Sequence, residues 1–222
     1  MGSLGVYMEQ IDKHILEGRE VIYSVLSKIF LDVPNKNMYE MITKVFPLMK
    51  DFVSNEYAQN IMNQLNDYIS NSLTDEFLLN WQRDYTRLFC LTDSVPVSES
   101  YYTSIEKLVM QESREQVLAL YRKCKFNMNH TSNEPEDHIS YELMFVSFLS
   151  KQAKLANDEN ILKELMNIQM QFIHEHLLIL LTALTDKMKI YEQGKRFYYP
   201  LALFMIEFIK ADYDYISELL NS

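Results

Sequence analysis

The shortage of turn-forming residues is the feature that most constrains the fold of this chain. Its 222 residues include only 4 glycines and 5 prolines, whereas hydrophobic residues make up 48% of the total. A fold of many β-strands needs frequent tight turns, which are built mainly from Gly, Pro, Asn, Asp and Ser. The composition therefore favours long helices joined by few loops, and a chain of this length can bury a full hydrophobic core.

Apolar residues recur at helical spacing along most of the chain, which predicts an all-α helical bundle of about eight to ten helices. Thr74 is a suitable N-cap for the fourth of them. The predicted helices cover residues 6–30, 38–52, 56–70, 74–89, 104–124, 134–156, 159–184, 186–194 and 197–219. Between residues 91 and 103 the periodicity is lost, and this stretch is predicted to be a loop.

A polar stretch at 125–133 interrupts the helical pattern, with three asparagines and one serine in nine residues. We predict that it is a hinge linker between an N-terminal helical lobe, residues 1–124, and a C-terminal helical lobe, residues 134–222. The alternative is that both lobes pack as one domain. Because a flexible linker permits two chains to exchange lobes, we expect a monomer or a domain-exchanged dimer.

The charge and the cysteines limit the class of partner and the compartment. The net charge of −10 disfavours nucleic acid, which requires clustered Lys and Arg, and suits a basic partner. Cys90 and Cys124 form no metal-binding pair and fit a reducing compartment. No apolar run approaches the ~20 residues of a membrane span, and the first residues lack a secretory pattern. We expect a cytoplasmic protein with no stable membrane insertion.

The run Glu-Pro-Glu-Asp-His at 134–138 is the main candidate for a functional site. It is predicted to open a helix, with Asn133 and Glu136 forming a capping box and Pro135 fixing the first turn. Carboxylates and an imidazole aimed from a rigid helix start could serve catalysis, a metal or a basic ligand. The simpler interpretation is that the acids complement the helix dipole, at ~0.3–1 kcal/mol each.

A metal or enzymatic site is a second interpretation of the same region. His138 and Glu142 are four residues apart and share a helix face, while His176 falls on the inward stripe of a later helix. Metal sites need three or four ligands, and no further ligand is evident. The chain has neither a nucleophile elbow nor a glycine-rich phosphate loop. A metal- or nucleotide-dependent enzyme using His138, Glu142 and His176 is therefore the alternative, and we expect no enzyme, metal or cofactor.

Three segments together resemble the TorD/DmsD/NarJ-like family of redox-enzyme maturation chaperones. Residues 84–89 (Asp-Tyr-Thr-Arg-Leu-Phe) are similar to the acid-Tyr-x-x-Leu-Phe end of a family helix. Residues 96–102 (Pro-Val-Ser-Glu-Ser-Tyr-Tyr) are similar to the family's Pro-rich loop that runs into Glu-Ser-x-Tyr. Residues 134–138 match its Glu-Pro-x-Asp-His motif in full. Residues 90–95 depart from the pattern, because relatives often have Gly and additional Pro there.

The resemblance implies an all-helical cytoplasmic chaperone and not an enzyme. Such proteins bind the twin-arginine signal peptide, or the apo-form, of a molybdopterin-dependent reductase subunit before export. Carboxylates accept arginine forks strongly, and exposed aromatic and acidic groups suit an apolar, basic peptide. The expected peptide-binding residues are Glu134, Asp137, His138 and Glu142 at the polar end and Tyr85, Glu99, Tyr101 and Tyr102 along the groove wall. The expected structural residues are Arg87, Pro135 and His176.

A third hypothesis is a purely structural or regulatory helical subunit, in which residues 134–138 serve only as a helix cap. The sequence leaves open which reductase is the client, and whether its leader or its mature body is bound.

Overall fold

A computed structural model describes residues 13–70, 73–128 and 133–221 of the chain. Within these residues the fold is all-α, as predicted, and no strand is present. Residues 6–12 of the first predicted helix and residues 129–132 of the predicted linker lie outside the described part. In the described part, no helix combines the length and apolar character that a bilayer crossing requires.

The helices follow one another with short connections. They are α1 (Lys13–Leu31), α2 (Lys36–Asp51), α3 (Glu56–Ser70), α4 (Asp75–Tyr85), α5 (Glu99–Thr103), α6 (Glu112–Lys123), α7 (Ile139–Leu155), α8 (Glu159–Phe172), α9 (Leu178–Met188) and α10 (Tyr198–Asn221). A π-helical turn, Thr86–Cys90, continues α4, and a second, Ile173–Leu177, joins α8 to α9. A short 3₁₀ turn, Glu192–Gly194, precedes α10.

Helices α1 and α7 form the central pair of the bundle, and α10 packs against α3, α8 and α9. Both central helices bury apolar residues completely, for example Leu26 on α1 and Leu143 on α7. Helices before and after residues 125–133 therefore share one hydrophobic core. The lobe boundary at this stretch and the exchange of lobes between chains stay predictions.

A buried polar network links the first helix to the last. Arg19 on α1 is fully buried, and its Nε lies 2.5 Å from Oδ1 of Asp212 on α10. Its Nη2 donates to Oε1 of Gln169 on α8 at 2.8 Å, and Tyr23 donates to Oδ2 of Asp212 at 2.8 Å. Ser150 on α7 donates to the same Gln169 oxygen at 3.1 Å. Because buried charges require partners, this network fixes four helices relative to one another.

The Thr74 cap is confirmed by its bond from the Phe77 N–H, whereas several helix boundaries differ from the prediction. Residues 99–103 lie in the predicted loop and form α5. The separate helix predicted at 186–194 is absent, because α9 continues to Met188 and only a 3₁₀ turn follows at Glu192–Gly194.

Helix α7 begins at Ile139 and not near residue 134. His138 is its N-cap, because the imidazole Nδ1 accepts the Ser140 N–H at 3.1 Å. The preceding residues form a turn closed by the His138 N–H and the Pro135 carbonyl at 3.0 Å.

Residues 104–111, predicted to begin a helix, form a loop between α5 and α6. Lys107 and Met110 have φ angles of 55° and 61°, which a right-handed helix excludes. The Ser104 hydroxyl holds the loop instead, because it accepts the Leu108 N–H at 3.0 Å and donates to the Leu108 carbonyl at 3.1 Å. The prediction failed because Ile105, Leu108 and Val109 have the i, i+3, i+4 spacing of an amphipathic helix.

Candidate binding site at the motif junction

The three segments that carry the sequence motifs meet at one place, which we call the motif junction. Residues 97–99 run antiparallel to residues 137–139. The Glu99 N–H donates to the Asp137 carbonyl at 3.0 Å, and the Ile139 N–H donates to the Val97 carbonyl at 2.8 Å. The π-helical turn joins them, because the Val95 N–H donates to the Leu88 carbonyl at 2.7 Å. Backbone hydrogen bonds therefore connect the motifs at 96–102 and 134–138, which are far apart in sequence.

Asp137 ties the junction to α5. Its Oδ2 accepts the backbone N–H of Ser100 at 2.6 Å, and the residue is fully buried. Ser100 lies in the first turn of α5, where backbone N–H groups have no partner within the helix. A carboxylate is the strongest acceptor for such a donor. The Asp137 side chain thus points into the protein and holds the start of α5.

Glu99 and His176 form a second link. Nδ1 of His176 lies 2.9 Å from Oε2 of Glu99, and both side chains are almost fully buried. His176 lies in the π-helical turn between α8 and α9, and its ring packs 5.2 Å from the ring of Phe172. The inward position predicted for His176 is observed, and its partner is Glu99 from the loop motif.

Glu142 and His138 are buried in surroundings that favour the uncharged form of each side chain. Burial, followed by the charges of Glu99 and Asp137, raises the pKa of Glu142 well above its ordinary value. The surroundings therefore favour the protonated, uncharged carboxyl group of Glu142. Burial lowers the pKa of His138 to about 4, so its imidazole is uncharged at neutral pH. Neither side chain presents a charge to solvent.

Some acceptor capacity inside the junction is unused. Among the described residues, the buried junction atoms without a hydrogen-bond partner are Oδ1 of Asp137, both carboxyl oxygens of Glu142 and the hydroxyls of Ser100 and Ser140. A buried polar atom left unpaired costs about 1–3 kcal/mol. The junction therefore contains buried donors and acceptors that the described residues do not pair with one another.

The expected peptide-binding residues differ in their access to solvent. Asp137, His138, Glu142, Glu99 and Tyr85 are all buried. The Tyr85 hydroxyl donates to the Leu31 carbonyl at 3.0 Å and so has a structural contact. A leader that touches these five residues requires the junction to open, and their direct contact with a peptide stays a prediction.

Glu134, Tyr101 and Tyr102 are the accessible members of the set. Glu134 is exposed, and the two tyrosines are half-buried and pack edge to face with ring centroids 5.2 Å apart. The Tyr102 hydroxyl donates to the Pro96 carbonyl at 2.7 Å. The structure thus gathers most predicted acids at one place but leaves only its rim open.

Arg87 is exposed and lines a polar hollow of about 410 Å³ with Arg83, Asp84, Glu192 and Arg196. Burial raises the pKa of Asp84, while the charges of Arg196 and Arg87 act against this shift. Arg87 therefore faces residues from the C-terminal half of the chain. The structural role expected for Arg87 stays a prediction.

Comparison with known proteins decides the family. A family model described as the nitrate reductase delta subunit matches residues 54–185, which is more than half of the chain. The chain belongs to the nitrate reductase delta subunit family. This NarJ/TorD-like family comprises maturation chaperones of molybdoenzymes and is not a catalytic family. The predicted family is confirmed, and the matched range contains all three motif segments. A search among curated proteins found no match.

Sequence reasoning missed the loop at 104–111, although it follows the α5 motif directly. Four apolar side chains of this loop are exposed: Ile105, Leu108, Val109 and Met110. The helix-like spacing concealed them, because it implied that they face a core. An available signal was the hydroxyl of Ser104 at the end of the aromatic motif, a residue type that competes for backbone groups and favours turns.

Proposed function

We propose that this delta-family chaperone binds the twin-arginine leader, the apo-form or both of an exported molybdenum-cofactor oxidoreductase subunit in the cytoplasm. The observation that supports this most is the meeting of three family-like motif segments in one junction rich in carboxyl groups. Glu99 from one segment lies there with Asp137 and Glu142 from another, and Glu134 lies exposed at the rim. The net charge of −10 adds attraction for a basic segment.

The expected affinity is moderate, as release of the client requires. Burying ~500 Å² of apolar leader contributes ~12 kcal/mol at ~25 cal/mol per Å². Ordering about ten flexible residues opposes this by ~1–2 kcal/mol each. Arginine contacts with carboxylates then decide which peptide is retained.

The test is calorimetry with a synthetic leader peptide that carries an Arg-Arg pair before an apolar run. A matched peptide has Gln at both arginine positions. We expect the Arg-Arg peptide to bind more tightly, with an advantage that shrinks as salt rises, because exposed charge interactions are screened. Equal affinity for the two peptides would show that the chain does not recognise the arginines, and that part of the proposal would be wrong. Capture of an apo-reductase subunit on the immobilised chain tests body binding separately.

The enzyme alternative assigned a joint site to His138, Glu142 and His176. In the structure the first caps α7, the second is buried against Glu99, and the third pairs with Glu99. Among the described residues, no group of three His, Cys, Asp or Glu side chains is arranged to hold a metal ion. These internal contacts favour a structural task for the three residues. Elemental analysis of the purified protein tests the alternative directly.

A further inference from the structure

The loop between α5 and α6 presents an unusual apolar surface, which we call the apolar loop (residues 104–111). Ile105 is 95% exposed, and Leu108, Val109 and Met110 are between 45% and 55% exposed. Four large apolar side chains thus contact solvent within six consecutive residues. Scattered apolar residues are normal on a surface, but a contiguous group indicates an interaction site.

Hydrogen bonds within the apolar loop and to α5 support the conformation in which these side chains face solvent. The Ser104 hydroxyl bonds both backbone groups of Leu108, and Nζ of Lys107 donates to the Tyr102 carbonyl at 2.8 Å. The positive φ angles of Lys107 and Met110 are rare for residues other than glycine. Such conformations persist where the surroundings enforce them, and they concentrate at functional sites. Pre-organisation of this kind reduces the entropy lost on binding.

Acidic groups border the apolar side chains. A hollow of about 430 Å³ lies beside the loop, and Ile105, Glu106 and Glu112 are among the residues that line it. Both glutamates are exposed. Lys107 supplies the basic side chain of this stretch, and its ammonium group is engaged by the Tyr102 carbonyl. The surface therefore combines an apolar ridge with a negatively charged hollow.

We propose that the apolar loop and its hollow are the docking surface for a client segment in which arginines precede an apolar run. The apolar run lies against Leu108, Val109 and Met110, and the arginines reach Glu106 and Glu112. The inference rests on the proposed function and gives it a location. Charge complementarity selects this occupant over a second copy of the chain, because two copies would bring the same glutamates together.

The location also connects docking to the motif junction. The apolar loop continues directly from α5, whose first turn is held by Asp137 through the Ser100 N–H. A segment on the loop therefore lies next to the helix that closes the buried acids. Binding there needs no opening of the junction.

Two double variants test the surface with the Arg-Arg peptide and its Gln-Gln counterpart in calorimetry. Leu108→Ser with Met110→Ser removes the apolar ridge, and Glu106→Gln with Glu112→Gln removes the charges. Leu48→Ser, on an equally exposed apolar residue of α2, is the matched control. Circular dichroism and thermal unfolding test whether each variant is folded. All four substituted positions at this surface are exposed, so no loss of fold is expected.

We expect the serine variant to bind both peptides at least about tenfold more weakly, and Leu48→Ser to bind as the wild type does. The glutamine variant should lose affinity for the Arg-Arg peptide only, together with part of the salt dependence. If the wild type binds the Arg-Arg peptide and both loop variants bind it equally well, docking on the loop is wrong and the proposed function stands. If the wild type binds neither peptide, leader binding fails and the docking proposal fails with it.

Analytical sedimentation of the wild type and the serine variant tests whether a second copy of the chain occupies the loop instead of the client segment. A wild-type dimer that the serine variant abolishes, with peptide affinity unchanged, would make the loop a self-association surface and overturn the proposal. A monomer in both cases, with weakened peptide binding in the variant, supports it.

Discussion

Nδ1 of His176 lies 2.9 Å from Oε2 of Glu99, although the two residues are 77 positions apart in the chain. The contact joins the π-helical turn Ile173–Leu177 to the first turn of α5. Asp137 holds the same helix through the Ser100 N–H. Two contacts between buried groups thus position helix α5, which is only five residues long and leads directly into the apolar loop.

Asp137→Ala should destabilise the fold without abolishing helix content. The substitution removes the carboxylate that accepts the Ser100 N–H and leaves this donor buried, which costs about 1–3 kcal/mol. Urea unfolding followed by circular dichroism measures the change. Glu134→Ala is the matched control, because this neighbouring acid is exposed and its loss should change stability by about 0.5 kcal/mol or less. Equal effects of the two substitutions would contradict the tie between Asp137 and α5.

Glu142→Gln should be tolerated and should become relatively more favourable as pH rises. Burial raises the pKa of Glu142 well above the ordinary 4.5, so its contribution is fully present below pH 4.5 and is lost as pH rises toward the folded-state value. Glutamine keeps the shape and has no proton to lose. The difference in unfolding free energy between variant and wild type, measured by urea titration at several pH values, should therefore increase upward from pH 4.5. A pH-independent difference would mean that Glu142 is ionised in the folded protein.

His138→Asn should flatten the acid dependence of stability. The pKa of His138 falls from 6.5 to about 4 on folding, so the unfolded chain takes up a proton first as the pH drops. The contribution of His138 to the free energy of unfolding is therefore fully present above pH 6.5. It decreases by an amount on the order of 3 kcal/mol as the pH falls to about 4.

Asparagine is a good N-cap and can accept the Ser140 N–H, so the variant should fold at pH 7. Unfolding free energies of wild type and variant at pH 7, 6, 5 and 4 isolate the contribution of the imidazole. Parallel curves for the two proteins would show that His138 does not titrate as its burial requires.

Removing one partner of the Arg19–Asp212 pair should strongly lower the free energy of unfolding. Asp212→Asn leaves a fully buried guanidinium with a neutral partner, and breaking a buried ion pair costs about 3–5 kcal/mol. Arg19→Met with Asp212→Leu removes both charges and should recover most of the loss, although Gln169 and Tyr23 then lose partners. Chemical unfolding of the two variants and the wild type measures the loss and its recovery. A double variant as unstable as the single one would show that the charges themselves are required.

The all-α class and most helix positions were predictable because apolar spacing reports directly on which residues face a core. The family was predictable because its motifs are short and local. Loop 104–111 could not be predicted in this way, because Ile105, Leu108 and Val109 have helical spacing. In the structure the Ser104 hydroxyl bonds the backbone N–H and carbonyl of Leu108 instead. Local hydrogen bonding overrode the periodicity.

The burial of the ionisable residues in the motifs could not be predicted from the sequence. A charged run at 134–138 indicates an exposed site, yet Asp137 and His138 face inward because residues 97–99 pair with this stretch. That pairing joins segments about forty residues apart, and nothing local specifies it. Glu99 as the partner of His176 was hidden for the same reason.

The link between Arg19 and Asp212 spans 193 positions. During synthesis at about 5–20 residues per second, α1 leaves the ribosome roughly 10 to 40 s before its final partner is made. For most of that interval α1 lacks α7, its main packing partner, and it lacks the complete α10 until the end. The nascent chain thus exposes apolar surface that favours aggregation until these helices are made.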